Sequence, residues 1–260
     1  MGILNVTPDS FSDGGEYLSV DNALQQAEKM IAEGADIIDV GGESTRPGSK
    51  PVATDEEIRR TIPVIEEIIT RFDLPISIDT TKSETAKAAI DAGAEIINDI
   101  SGLRFDVSVA DVAARSNAGL VLMHSRGTFE TTHTQPPVDN IIFEVAADFR
   151  RAIDLAKTHD VRVEQIALDI GLGFGKTFEQ NLELLAKLDK IIAEFQAYPM
   201  VVGASRKSFI GKILGDVPPN ERLDGSIAAA LTAIRNGAKI VRVHDVKETV
   251  AAIKHAQLQQ

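Results

Sequence analysis

Met1-Gly-Ile-Leu-Asn-Val-Thr-Pro-Asp-Ser-Phe-Ser-Asp-Gly-Gly15 opens with a short apolar run, Ile3 to Val6, that breaks at once into Thr-Pro-Asp-Ser and a glycine pair. An apolar run of this length, bounded by turn residues, reads as a buried strand emptying into a polar loop, with Asn5 at the junction. The pattern recurs seven more times, at residues 36–40, 75–79, 95–99, 120–124, 165–170, 200–204 and 239–244. Between these runs the apolar residues take helical spacing, as in Leu24, Ala27, Met30 and Ile31 of the first helix, predicted over 19–33 and stopped by Gly34. Further helices are predicted from Thr54 onward, where Glu57 three residues later suggests a capping box, and over 83–92, 107–115, 138–159, 179–195, 222–236 and 247–256. The helix over 138–159 is the longest of these.

Eight strand–helix units in 260 residues predict an α/β fold of the (β/α)8 TIM-barrel type rather than an open doubly wound sheet. No linker or compositional break divides residues 1–260, so a single domain is expected. The strands are short and rich in Ile and Val, as parallel strands covered by helices must be. The opening strand is expected to be short, because the chain starts inside it. Phe195 and Tyr198 read as packing.

Bulk composition narrows the functional classes. A net charge of −12 argues against nucleic acid or an anionic membrane as partner, since both are held by surplus Lys and Arg. The absence of cysteine excludes disulfides and thiolate metal sites. No apolar run reaches the roughly 18 residues of a membrane span, and no signal peptide is visible ahead of the first strand. A cytoplasmic protein is expected, in which an anionic substrate needs its own local cluster of positive charge.

In a TIM barrel the chemistry lies at the C-terminal ends of the strands. Here those ends carry Asn5, Asp39, Asp79, Asn98, His124, Asp169, Ser205-Arg206-Lys207, and Arg242 with His244. Alternation along a strand points Arg242 and His244 the same way, and likewise Ser77 and Asp79. Any one of these is explained by an ion pair or a cap. A polar group at nearly every strand end is not, because charges beside Ile/Val strands are costly to bury unless paired.

Seven ordered stretches carry a resemblance: Asn5-Val-Thr-Pro-Asp-Ser-Phe-Ser-Asp-Gly14, Gly41-Gly-Glu-Ser-Thr-Arg-Pro-Gly48, Ser77-Ile-Asp79, Asn98-Asp-Ile-Ser-Gly102, Gly171-Leu-Gly-Phe-Gly-Lys-Thr177, Ser205-Arg-Lys-Ser-Phe209 and Arg242-Val-His244. Together they resemble the dihydropteroate synthase family over nearly the whole chain. The resemblance implies a transferase of folate synthesis. It joins p-aminobenzoate to 6-hydroxymethyl-7,8-dihydropterin pyrophosphate, releases pyrophosphate, and is the target of sulfonamides. It implies pterin-binding roles for Asp79, Asn98, Asp169 and Lys207, and catalytic roles for Lys207, Arg242, Asp79 and the loop acid Asp13. Asn5, Arg242, His244 and Ser208 match the pyrophosphate contacts. Phe11, Thr45, Arg46, Pro47, Phe174 and Ser208 match the p-aminobenzoate pocket. Mg2+, with Asn5 as its protein ligand, and a homodimer are implied as well, the Ala-rich helix over 226–234 being a candidate dimer surface.

The chemistry agrees with those residue types. A carboxylate accepts bidentately from the donor-rich edge of a pterin, and an amide suits its mixed edge. Magnesium takes one or two protein oxygens plus phosphate oxygens, so a lone Asn suffices if the metal arrives with substrate. No residue is placed as a general base, and an aromatic amine is already a neutral nucleophile, which favours dissociative substitution. The 7–15 and 43–51 loops are expected to close over the site, and the long polar 125–137 connection reads as a lid. Gly171 to Thr177 ends like a P-loop but is one residue short, and the five histidines lack ligand spacing. Asp169-Ile-Gly171 replaces the family's usual Asp-Pro-Gly. Two rivals stand beside this reading. One is a pterin barrel that passes a methyl group from methyltetrahydrofolate to a corrinoid, which has no use for a pyrophosphate cluster. The other is a non-catalytic pterin binder, which should lack one of the charged residues.

Overall fold

The computed structural model describes residues 1–7, 16–45 and 48–257, with the backbone alone for 16–19 and 133. Eight parallel strands lie in chain order: β1 (Gly2–Asn5), β2 (Ile38–Gly41), β3 (Ile76–Asp79), β4 (Ile96–Asp99), β5 (Gly119–Met123), β6 (Ile166–Asp169), β7 (Met200–Val202) and β8 (Ile240–Val241). The sheet curls until its ends meet. Gly2 bridges Val243 in parallel, Ile3 N–H donates to the Val243 carbonyl at 2.9 Å, and Val243 N–H donates to the Met1 carbonyl at 2.9 Å. This is the expected α/β barrel.

Among the described residues ten α-helices clothe it: α1 (Glu16–Ala32), α2 (Thr54–Arg71), α3 (Ser83–Asp91), α4 (Ser108–Ser116), α5 (Ile141–Thr158), α6 (Phe178–Ala186), α7 (Leu188–Glu194), α8 (Ser208–Ile213), α9 (Leu223–Arg235) and α10 (Val246–Gln257). The period of two along each strand sorts the layers. Leu4, Val40, Ile78 and Ile97 are in register across β1 to β4 and belong to the buried apolar core with residues of the helices, among them Val64, Ile65 and Ile68 of α2. Phe195 and Tyr198 pack as expected, Phe195 edge-on to Phe149 with ring centroids 5.4 Å apart.

Local expectations fail in five places. No capping box forms at Thr54; Ala53 is the N-cap, without a side-chain bond. Glu57 instead turns inward, fully buried, where Lys82 Nζ reaches it at 2.6 Å and ties α2 to the start of α3. The helix predicted over 179–195 divides at Lys187, which ends α6 and starts α7, and a capping box does form at its start, between Thr177 and Gln180. The short helix α8 has too few turns to show periodicity. Strands β7 and β8 are shorter than predicted, ending at Val202 and Val241. Arg242 N–H still donates to the Val202 carbonyl at 3.0 Å and Val243 N–H to the Met1 carbonyl at 2.9 Å, and at His244 the N–H turns to the Ser205 hydroxyl at 3.2 Å. The helix predicted over 138–159 starts only at Ile141, where the Asn140 side chain caps Phe143 N–H at 3.0 Å, and α2 equals it at 18 residues.

Candidate active site

Register builds the site. Asn5, Gly41, Asp79 and Asn98 are paired in turn across β1, β2, β3 and β4, so their side-chain positions form one layer at the strand ends. One residue pair further down each strand, Ile3, Asp39 and Ser77 form the layer beneath. Glycine opens the upper layer. A Cβ on Gly41 would meet Asn5 Oδ1 and Asp79 Oδ2, each at 3.8 Å, and one on Gly203 would lie 3.9 Å from Asp169 Oδ2 and 3.8 Å from Arg242 Cβ. The two missing side chains leave room between acid, amide and base.

Arg242 couples the layers. Its Nε donates to Asp39 Oδ2 at 2.5 Å and a terminal nitrogen donates to Asp79 Oδ2 at 2.7 Å. Asn98 Nδ2 also donates to Asp39 Oδ2, at 3.1 Å, which fixes the amide's orientation. Asp39 is fully buried, and its Oδ1 has no partner among the described residues. Burial works against the Arg242 charge, but Asp39 and Asp79 overcome it and hold the guanidinium above its ordinary pKa. Burial pushes the Asp79 carboxyl up to about 7, with Arg242 pulling the other way and Asp39 adding to the rise.

Asp169, at the end of β6, is pushed up by burial and drawn back by the Gly171 N–H, which donates to its Oδ1 at 2.7 Å. Lys207 places its Nζ 4.1 Å from the centre of the Phe174 ring. Burial, then the Arg242 charge, lower its ammonium to about 8, while Asp169 and Asp79 oppose the drop. The Phe174 loop is held by Lys176, whose Nζ donates to the carbonyls of Gly171 at 2.8 Å, Phe174 at 3.0 Å and His124 at 3.2 Å. Gly171 has φ +63°, and a Cβ there would fall 1.9 Å from the His124 carbonyl oxygen, so the two loops touch backbone to backbone. The 125–137 connection is likewise tied down, Arg126 donating to the carbonyls of Pro136 at 2.6 Å and Gly175 at 2.8 Å.

Among the anticipated residues, Asn5, Asp79, Asn98, Asp169, Lys207 and Arg242 therefore converge on one mouth of the barrel. His244 lies beside them, its Nδ1 3.1 Å from Ser205 Oγ, and burial lowers its imidazole to about 3, helped by Arg206 and Arg242. Ser208 is exposed at the rim as the first residue of α8. Thr45 and Phe174 line one small recess with Ser125 and Phe129. Phe11, Asp13, Arg46 and Pro47 lie outside the described residues. Three contributors had no role assigned from sequence: Asp39, Ser205 and Lys176. For Asp39 the signal was present, a carboxylate in the middle of an Ile-Asp-Val strand, which is too costly to bury unpaired.

The pterin binding enzyme family model matches residues 1–244. A dihydropteroate synthase from Synechocystis is 48% identical over 256 residues, covering 98% of this chain and 88% of that protein. The chain belongs to the dihydropteroate synthase family. The crystal structure of the Clostridium difficile dihydropteroate synthase, in the presence of pteroic acid, has a TM-score of 0.93 at 45% identity, covering all of this chain and 95% of that one. The Xanthomonas albilineans dihydropteroate synthase with 4-aminobenzoic acid also reaches 0.93, at 42% identity, covering all of this chain and 92% of that one. Membership in the dihydropteroate synthase family sets aside the methyl-transferring barrel. Among the described residues no helix is long and apolar enough to cross a membrane.

Proposed function

We propose that this chain joins p-aminobenzoate to 6-hydroxymethyl-7,8-dihydropterin pyrophosphate, giving 7,8-dihydropteroate and pyrophosphate, by dissociative substitution. The observation that carries the reading is the buried network in which Asp39 accepts from both Asn98 and Arg242 while Arg242 also donates to Asp79, with the Asp169 and Lys207 charges acting on the same groups. Asp169 and Asn98 hold the pterin edge, and Asp79 holds a ring nitrogen. The methylene carbon–oxygen bond breaks with its electron pair leaving on pyrophosphate, while positive charge spreads into the ring. Fixed carboxylates favour that state over the ground state. The amine lone pair then forms the carbon–nitrogen bond and its proton passes to solvent. Arg242 spends two nitrogens on Asp39 and Asp79, which leaves its other terminal nitrogen for the leaving group beside His244, Ser208 and Asn5.

Magnesium fits as a companion of pyrophosphate. Among the described residues no group of three His, Asp or Glu forms a cage, and Asn5 Oδ1 is turned toward the open point above Gly41 without a described hydrogen bond. Asn5 would hold the ion, which supplies charge neutralisation at the departing oxygen. Thr45 and Phe174, with the loop residues Phe11, Arg46 and Pro47, form the p-aminobenzoate pocket that sulfonamides also enter, and Asp13 shields the intermediate from water. A homodimer is the proposed assembly. The Ala229 and Ala233 face of α9 is used up in the core, but Ile227, Leu231 and Ile234 on its other side are only half-buried.

The test is pyrophosphate release from purified protein with magnesium, the pterin pyrophosphate and p-aminobenzoate. Release that needs all three is expected, and Lys207→Ala or Arg242→Ala should lower turnover at least a hundredfold with the fold intact. Undiminished turnover in either variant contradicts the assigned roles.

A further inference from the structure

Outboard of this site, between α5 and the loops that follow β4 and β5, lies a cavity of about 470 Å3. Its lining shares no residue with the pterin layer. Three arginines reach it from three directions: Arg104 from the loop after β4, Arg126 from the loop after β5, and Arg151 from α5. Two carboxylates of α5 also line it, and each is already engaged, Glu144 with Arg126 Nε at 2.8 Å and Asp148 with Arg151 Nε at 2.7 Å. Arg104 has no ion pair among the described residues; it donates to the Ser101 carbonyl at 3.0 Å and to the Ser125 hydroxyl. One positive charge is thus left over in a chain whose net charge is −12.

The second observation is His124. It lines the same cavity, is 1% exposed, and its Nδ1 has no hydrogen-bond partner among the described residues. A buried polar atom without a partner is rare in a folded protein and calls for an explanation. Its surroundings also report the local field: burial first, then Lys176, Arg104, Arg126 and Arg151, push the imidazole well below its ordinary pKa. A neutral imidazole N–H with several guanidinium N–H donors matches an oxyanion with more than two acceptor oxygens better than it matches a single carboxylate.

We propose that this cavity is a second anion site, taking a phosphate group at Arg104, Arg126, Arg151 and His124. The volume exceeds that of bare phosphate, so the group is either free phosphate or the phosphate end of a small metabolite.

Histidine ring resonances separate this site from the pyrophosphate site, because His124 reports one and His244 the other. Inorganic phosphate and glycerol 3-phosphate are titrated separately into the full chain, with malonate as the carboxylate arm. Either phosphate should move the His124 resonance saturably, and a tighter response to glycerol 3-phosphate assigns the metabolite source. Arg104→Met should weaken that response at least tenfold while leaving the His244 response and turnover unchanged. Glu144→Gln, which releases Arg126 and removes a negative charge, should tighten it several-fold and keeps the test open if Arg104→Met does not fold. The proposal is overturned if His124 stays still at phosphate concentrations that saturate His244, if malonate binds as well as phosphate, or if Glu144→Gln leaves the response unchanged.

Discussion

Asp79 sits between opposing influences: burial and Asp39 raise its carboxyl to about 7, and Arg242 draws it back. Lys207 is lowered to about 8 by burial and Arg242. The proposed chemistry uses the ionised acid and the protonated amine, so kcat/KM should rise as pH climbs through about 7 and fall again above about 8. A pH profile of kcat/KM checks this, since it reads the free enzyme's groups. Lys207→Arg should move the alkaline limb out of range, because guanidinium stays charged. Asp39→Asn should shift the acid limb downward, because it removes a negative neighbour of Asp79, and should lower turnover more than tenfold by loosening Arg242 and Asn98. An acid limb that does not move would count against the coupling. Asp39 also marks how far single residues were legible. The strand-end acids, amides and bases were visible as types at positions. Which carboxylate serves a base and which faces substrate depends on partners about 200 residues away, and no local pattern carries that.

Elements were legible where periodicity is long and illegible where a tertiary partner overrides local chemistry. Thr54 and Glu57 have the spacing of a capping box, yet Glu57 is buried against Lys82, since the ion pair across α2 and α3 outweighs a local cap. Lys82→Met should cost about 3–5 kcal/mol, because it strands a buried carboxylate; the urea midpoint measures it, and a loss below about 1 kcal/mol would argue against the pair. From sequence the Gly171 to Thr177 stretch showed only a shortened P-loop pattern, but Gly171 is where that loop meets the His124 carbonyl. Gly171→Ala should destabilise by about 3 kcal/mol or more, through both the clash and the positive φ. Lys176→Met should raise KM for p-aminobenzoate more than kcat falls, because Phe174 loses the ammonium that pins its loop; an unchanged KM contradicts that role. Helix α8 and the break at Lys187 escaped the sequence reading because neither spans enough turns to show a period.

The whole barrel was the most legible level, because eight strand–helix alternations leave few topologies open, and closure follows from the β1–β8 seam. What alternation cannot supply is the layer register, which emerges only when strands pair. Assembly was likewise invisible, since the Ala-rich stripe of α9 faces the core. If the half-buried face of α9 is the dimer surface, Leu231→Asp should convert a dimer to a monomer in sedimentation, and a wild-type monomer would refute it. The proposed site gathers scattered acids, amides and bases into a cup for a flat ring with a diphosphate tail. A crystal structure with the pterin pyrophosphate bound tests this most directly. It should place Asp79, Asn98 and Asp169 within hydrogen-bond distance of the ring, Lys207 over its face, and the diphosphate on Arg242 and His244. A pterin bound elsewhere, or one that leaves the Asp79 and Asp169 carboxylates facing solvent, would contradict it.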